Sequence, residues 1–250
     1  MDLEAGFWDL LLIWVVSLQV TLVAYLRDPR RKSLVLCLPF PFTVVALSRG
    51  KPIDAANVLG LLVFFLYVHG VRFFHYRLHL PIVAAIALSL AGYCLIGWMV
   101  VGFLPAGAAA FWTSSVAVFA VGLFFHLRSS FRFEPGHRTP LPVWLKLPIV
   151  AGVVCLLLLL KESLQGFATF FPMVSVVGAY EVRHSLWTLG RQVPVLMLAL
   201  VPLMAAAYLT QGFFGLGGAL AVGWGAFAGV LVPLMRRTRT GASVGRDGMS

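Results

Sequence analysis

The chain has 250 residues, of which 60% are hydrophobic and only 11% charged. Soluble domains run near a quarter charged, so this composition speaks against an ordinary soluble domain and for a membrane protein. The formal net charge of +10 does not indicate a nucleic-acid partner, because the cations sit in short connectors between apolar runs. The positive-inside rule places them there, and anionic headgroups are within their reach.

The apolar runs predict spans over 10–26, 33–48, 54–71, 80–103, 107–125, 143–160, 164–180, 193–209 and 213–235. All are expected to be helices, because an open strand edge cannot be satisfied in lipid. The predicted class is therefore an all-α polytopic membrane protein with about nine transmembrane helices. The start, MDLEAGFWD, is acidic and lacks the basic region of a secretory signal. The first run is read as a permanent span with the N-terminus outside.

The second span carries Pro39-Phe40-Pro41-Phe42-Thr43. Proline removes a backbone donor and frees the carbonyl four residues back, which in lipid must find protein or water. The segment is read either as an opened helix whose backbone and Thr43 hydroxyl line a site, or as a tolerated kink. Asp54 and Asn57 follow at the start of the third span, as an N-cap pair or as the outer edge of such a site. His69, Arg72, His75, Tyr76 and His79 share one face at the other end of that span. Arg72 among the histidines and the absence of a nearby carboxylate or cysteine favour interfacial anchors over a metal site.

Cys37, Cys94 and Cys155 are isolated within apolar runs and read as packing residues. The 126–146 stretch is basic and proline-punctuated, a cytoplasmic linker. The seventh span repeats the short, proline-interrupted pattern with Phe171-Pro172, followed by Ser175, Gly178 and Tyr180. Ser175 and Gly178 form a small-residue stripe that serves a helix contact or a pathway lining. Glu181 directly follows this span. Arg183 and His184 are its expected partners, in an anchoring cluster or a proton relay. No phosphate loop, GxSxG, HExxH or CxxC occurs, so neither an enzyme nor a cofactor is predicted.

Counting basic residues tests the span count. Sixteen of the nineteen Lys and Arg fall on one side of the nine-span arrangement, leaving Arg49, Lys51 and Lys161 on the other. This places the C-terminus in the cytoplasm of a bacterial inner membrane. An odd linker span lets two four-span sets run inverted: 1–103 first, 104–142 linker helix and basic loop, 143–235 second, 236–250 basic tail. Paired short spans broken by proline at matching positions point to a transporter's binding region.

The stretch FFPMVSVVGAY, with Phe171, Pro172 and Tyr180, resembles the second-span motif of the small GlpM-type bacterial membrane proteins. The first half carries Phe40 and Pro41 but has Arg49 where the tyrosine would stand. The resemblance covers about twenty residues of each half and implies a fused duplication of a four-span unit. The layout is also similar to that of fused fluoride channels, without their filter sequence.

The expected function is a transporter or channel for a small anionic, neutral or amphipathic solute. Pro39, Pro41, Thr43, Asn57, Phe171, Pro172, Ser175 and Tyr180 line the path on this reading, and Asp54, Glu181, Arg183 and His184 gate or couple it. The alternative is a non-transporting scaffold subunit of an envelope or polysaccharide assembly. The bilayer, an unidentified solute and a second copy of the chain are the partners considered. The topology is checked by single cysteines at Ser130 and Ala242 in a background without the native cysteines. Both should react with impermeant thiol reagents only after the membrane is opened; labelling in intact cells would reverse the orientation.

Overall fold

The structure, a computed structural model, describes residues 3–104, 107–129, 134, 137, 142–161 and 172–244. These residues hold helices and no strand. In order they are α1 (Leu3–Tyr25), α2 (Pro29–Leu36), α3 (Phe40–Arg49), α4 (Ala55–Tyr76), α5 (Ile82–Phe103), α6 (Ala108–Arg128), α7 (Val143–Lys161), α8 (Met173–Glu181) and α9 (Leu186–Val244). Among the described residues, six stretches are long and apolar enough to cross a membrane: Gly6–Tyr25, Pro29–Arg49, Ala55–Tyr76, Ile82–Val100, Ala108–Arg128 and Leu186–Leu234. The chain thus fits a multi-pass membrane protein. Much of the expected seventh span, Phe171 included, lies outside the described residues.

Helices and predicted spans are not the same objects. The second span is two helices, because the chain leaves helical geometry between Leu36 and Phe40. Prolines place both starts. Pro29 and Pro41 sit in the first turns of α2 and α3, where an intrahelical donor is not needed. Asp28 caps α2 by accepting from Arg30 N at 3.0 Å. Gly50 ends α3 in the left-handed region, its N–H returning to Ala46 O and Leu47 O.

The last two predicted spans are one continuous assignment, α9, of 59 residues. Straight, it would run about 88 Å, nearly three times the apolar thickness of a bilayer. It is not straight. Gly215 adopts φ 65, ψ 176, an orientation open to glycine alone. A Cβ on Gly223 would stand 2.7 Å from Leu203 O, so the limbs on either side of Gly215 fold back against each other.

Packing divides the bundle around two long helices. α1 contacts α2, α3, α7 and α8, while α4 contacts α5, α6 and α9. The α6–α9 seam closes through Gly122, where an added Cβ would lie 3.0 Å from Met197 Cβ, and through Phe111 stacked on Tyr208 at 3.9 Å. Without a hydrophobic drive between helices in lipid, such close backbone approach is what holds them. The outward faces of α5 and α6 stay apolar, with Val83, Leu95, Trp98 and Val116 exposed, as lipid-facing surfaces are.

The opening between α2 and α3 is filled by protein. Gln19 on α1 is buried and its Nε2 donates to Val35 O and to Leu38 O at 3.2 Å. Val35 O is the carbonyl that Pro39, four residues on, cannot serve, and Gln19 shares it with Leu38 N at 3.2 Å. Gln19→Leu keeps the volume and removes the donor. It should destabilise the fold by about 1–3 kcal/mol, read as a lower thermal midpoint of the detergent-purified protein.

Candidate functional site

The described residues gather charge in one place, where α2, α7 and α8 meet. Gly178 on α8 packs directly on Leu36 of α2, and a Cβ there would collide with the Leu36 methyl carbons. One turn away along each helix this contact sets Lys32 beside Glu181, and Lys32 Nζ donates to Glu181 O at 3.5 Å. The ammonium thereby faces the carbonyl end of α8, the favourable end for a cation. From α7, Lys146 Nζ approaches Glu181 Oε2 at 2.6 Å. That approach is charge to charge and not an aligned hydrogen bond, since Lys146 Nζ has no bonded acceptor at proper angles.

All three residues are buried: Lys32 is 2% exposed, Lys146 4% and Glu181 6%. Lys32 also feels the charges of Glu181, Lys146 and Arg183. Lys146 holds the carboxylate of Glu181, Lys32 its backbone carbonyl, and Arg183 adds a third positive charge near Lys32. Charges removed from water are costly unless paired, and here the pairing is incomplete.

Glu181 thus has a partner other than the expected Arg183 or His184. Arg183 instead caps α8, donating from Nη1 to Tyr180 O at 2.9 Å and lying over the Tyr180 ring at 4.6 Å. His184 is exposed, with its ring 4.7 Å from that of His137. Desolvation, then the nearby Arg183, His137, His75 and Lys32, hold its imidazole below the ordinary value. A lowered value leaves His184 neutral at pH 7, which removes it as the counter-charge of Glu181.

The remaining expected residues are dispersed. Asp54 and Asn57 form a capping box at the start of α4: Asp54 Oδ1 accepts from Ala56 N and Asn57 N, and Asn57 Oδ1 from Asp54 N. Thr43 donates to Pro39 O at 3.0 Å and accepts from Trp224 Nε1 at 2.9 Å. It faces the second limb of α9, whose Trp224 also packs on Phe40. Pro172 is the residue before α8 and Ser175 is buried within it. Tyr180 is 45% exposed, on the outside of the cluster. The two short segments therefore meet through Leu36–Gly178 and Lys32–Glu181, and not through Thr43.

A second polar assembly borders the first. Glu134, from the linker, caps α9 by accepting from Trp187 N at 3.1 Å, Thr188 N at 2.7 Å and Thr188 Oγ1 at 2.6 Å. The carboxylate meets the positive end of that helix. Arg72 lies over the Trp187 ring at 4.5 Å, and Tyr76 Oη donates to Arg183 O at 3.3 Å. The 126–146 linker thus supplies a fixed structural residue, which its composition did not reveal.

Three residues escaped the sequence reading: Lys32 and Lys146, counted only as interfacial charges, and Gln19. Lys146 left a signal, since it lies inside the span predicted over 143–160. Gln19 is likewise a lone amide in an apolar run. No known family, curated protein or solved structure matches this chain.

Glu181→Ala should strand Lys146 as a buried, unpaired charge and destabilise the protein by about 3–5 kcal/mol. The paired change Lys146→Met/Glu181→Leu, which still leaves Lys32 without its carboxylate, should restore part of the loss. Thermal unfolding of the three proteins in detergent checks both statements; an equal loss in the single and paired variants would make the ion pair irrelevant to stability.

Proposed function

We propose that this chain is a multi-pass transporter or channel for a small solute. Its path would run where the two short proline-headed segments cross. The observation that carries this reading is the buried, incompletely paired cluster of Lys32, Lys146 and Glu181, held by three separate elements. Buried, incompletely paired ionisable groups are expensive to keep and point to a binding site or to the mouth of a pathway.

On this reading the chain crosses nine times, N-terminus outside and C-terminus in the cytoplasm, as inverted halves 1–103 and 143–235. That is a fused duplication of a four-span unit, of the kind the GlpM-type resemblance implies. Contacts between connectors support the sides. Tyr76 meets Arg183, Glu134 meets Trp187 and Thr188, and Lys32 and Lys146 meet Glu181, all assigned inside. On the opposite side, Ile53 and Gln211 exchange hydrogen bonds, Ile53 N to Gln211 Oε1 at 2.8 Å and Gln211 Nε2 to Ile53 O at 3.3 Å. The packing of α1 on α7 and α2 on α8 is compatible with the repeat, since each pairs an element with its expected counterpart, although α1 and α5 also pack on α8.

Flux into proteoliposomes across a panel of small anions and neutral solutes tests the proposal. Wild type should move at least one of them, and Gly178→Leu, which wedges α8 off α2, should reduce the flux at least tenfold while remaining monodisperse. Flux unchanged by Pro41→Ala, Pro172→Ala and Tyr180→Phe would remove those residues from the path. Folded protein with no flux for any solute would replace transport by the scaffold reading.

A further inference from the structure

The charge cluster has more cation than its surroundings answer. Of the nine acidic residues in the chain, Glu181 alone reaches Lys32 and Lys146 among the described contacts. Asp28 is committed to capping α2 and to Arg31, and Glu134 to the start of α9. Asp54 caps α4. Glu162 lies outside the described residues. Asp9 sits in the second turn of α1, toward the end of that helix away from α2, and the Asp2 and Glu4 side chains lie outside the described residues. Asp247 lies outside the described residues.

Each ammonium has three donors. Lys32 spends one on a backbone carbonyl at 3.5 Å, and Lys146 has a contact with a carboxylate but no aligned bond. Two buried ammoniums with unspent donors, sharing one carboxylate, form the protein half of an anion site. Arg183, less buried and beside them, adds positive potential at the surface.

We propose that Lys32 and Lys146 bind a small oxyanion, a carboxylate or phosphate-type group, and that Glu181 is the internal competitor that holds Lys146 when the anion is absent. The anion enters as Glu181 swings off Lys146, so Glu181 sets the affinity and Lys32 supplies the cation that Glu181 leaves unanswered. The register that places Lys32 there depends on Gly178 against Leu36. The same chemistry serves a free anion or the phosphate of a lipid headgroup. This names the solute class for the transport reading and rests on that reading only for where the anion goes.

Binding is measured without flux. The purified chain, in uncharged detergent at constant ionic strength, is titrated with inorganic phosphate and with acetate, against matched sodium chloride, following the thermal midpoint and calorimetric heat. Wild type should show a saturable response to phosphate or acetate that chloride does not reproduce. Glu181→Gln should bind at least tenfold more tightly. Lys32→Gln, and Lys32→Gln/Lys146→Gln/Glu181→Gln, which leaves no buried charge in the cluster, should lose the saturable response, while Arg77→Gln at the surface should keep it. A parallel set in nanodiscs compares zwitterionic lipid with the same lipid containing phosphatidylglycerol. A Lys32-dependent midpoint rise confined to the anionic discs identifies the headgroup as the source, and a rise with free phosphate in both identifies the free anion.

No saturable response from wild type or Glu181→Gln in any arm overturns the site, as does a response that both lysine variants keep. Anion binding without flux leaves the site standing and removes transport. Flux that ignores Lys32→Gln leaves transport standing and overturns the site as the place where the solute binds.

Discussion

Glu181 at the end of a nine-residue helix is the constraint around which this bundle is arranged. A carboxylate taken out of water at a helix C-terminus is doubly unfavourable, once for desolvation and once for the helix dipole. The chain meets this with Lys146 from α7 on the carboxylate and Lys32 from α2 on the terminal carbonyl. Three elements far apart in sequence are thereby fixed at one level of the molecule. Because two ammoniums answer one carboxylate, the same arrangement that holds α8 also leaves positive charge inside.

Short helices make that arrangement possible, and each needs its exposed backbone looked after. Pro39 and Pro41 end one helix and start another, and the carbonyl at Val35 is shared by Leu38 N and Gln19. Pro172 precedes α8, and Arg183 and Lys32 receive its last carbonyls. Side chains do here what water does at helix ends in soluble proteins. A proline in an apolar segment is therefore only half of a feature. The other half is an amide or cation elsewhere in the chain, at a distance that sequence does not display.

Close approach does the rest. Gly178 against Leu36, Gly122 against Met197 and Gly223 against Leu203 bring backbones together at three separate seams. In lipid, dispersion between well-fitted surfaces has to supply what hydrophobic burial supplies in water. The Gly178 seam differs in consequence, because it sets the register of the charge cluster as well as the packing.

Composition and apolar run length by themselves determined an all-helical chain suited to a membrane. They also located the prolines that head α3 and α8, since these follow from local chemistry: a fixed φ, a missing donor, a span's worth of apolar residues. The Asp54–Asn57 cap was legible for the same reason, as its partners lie three residues apart. The partner of Glu181 was not legible. Sequence proximity favoured Arg183 and His184, but a helix end points neighbouring side chains in different directions, and Lys146 arrives from 35 residues upstream. Likewise only the fold showed that Thr43 belongs to Trp224, Gln211 to Ile53 and Glu134 to α9. Those pairings depend on which faces of separate helices meet. Helix packing decides that through glycine contacts and buried charge, and periodicity along one strand of sequence carries no record of it.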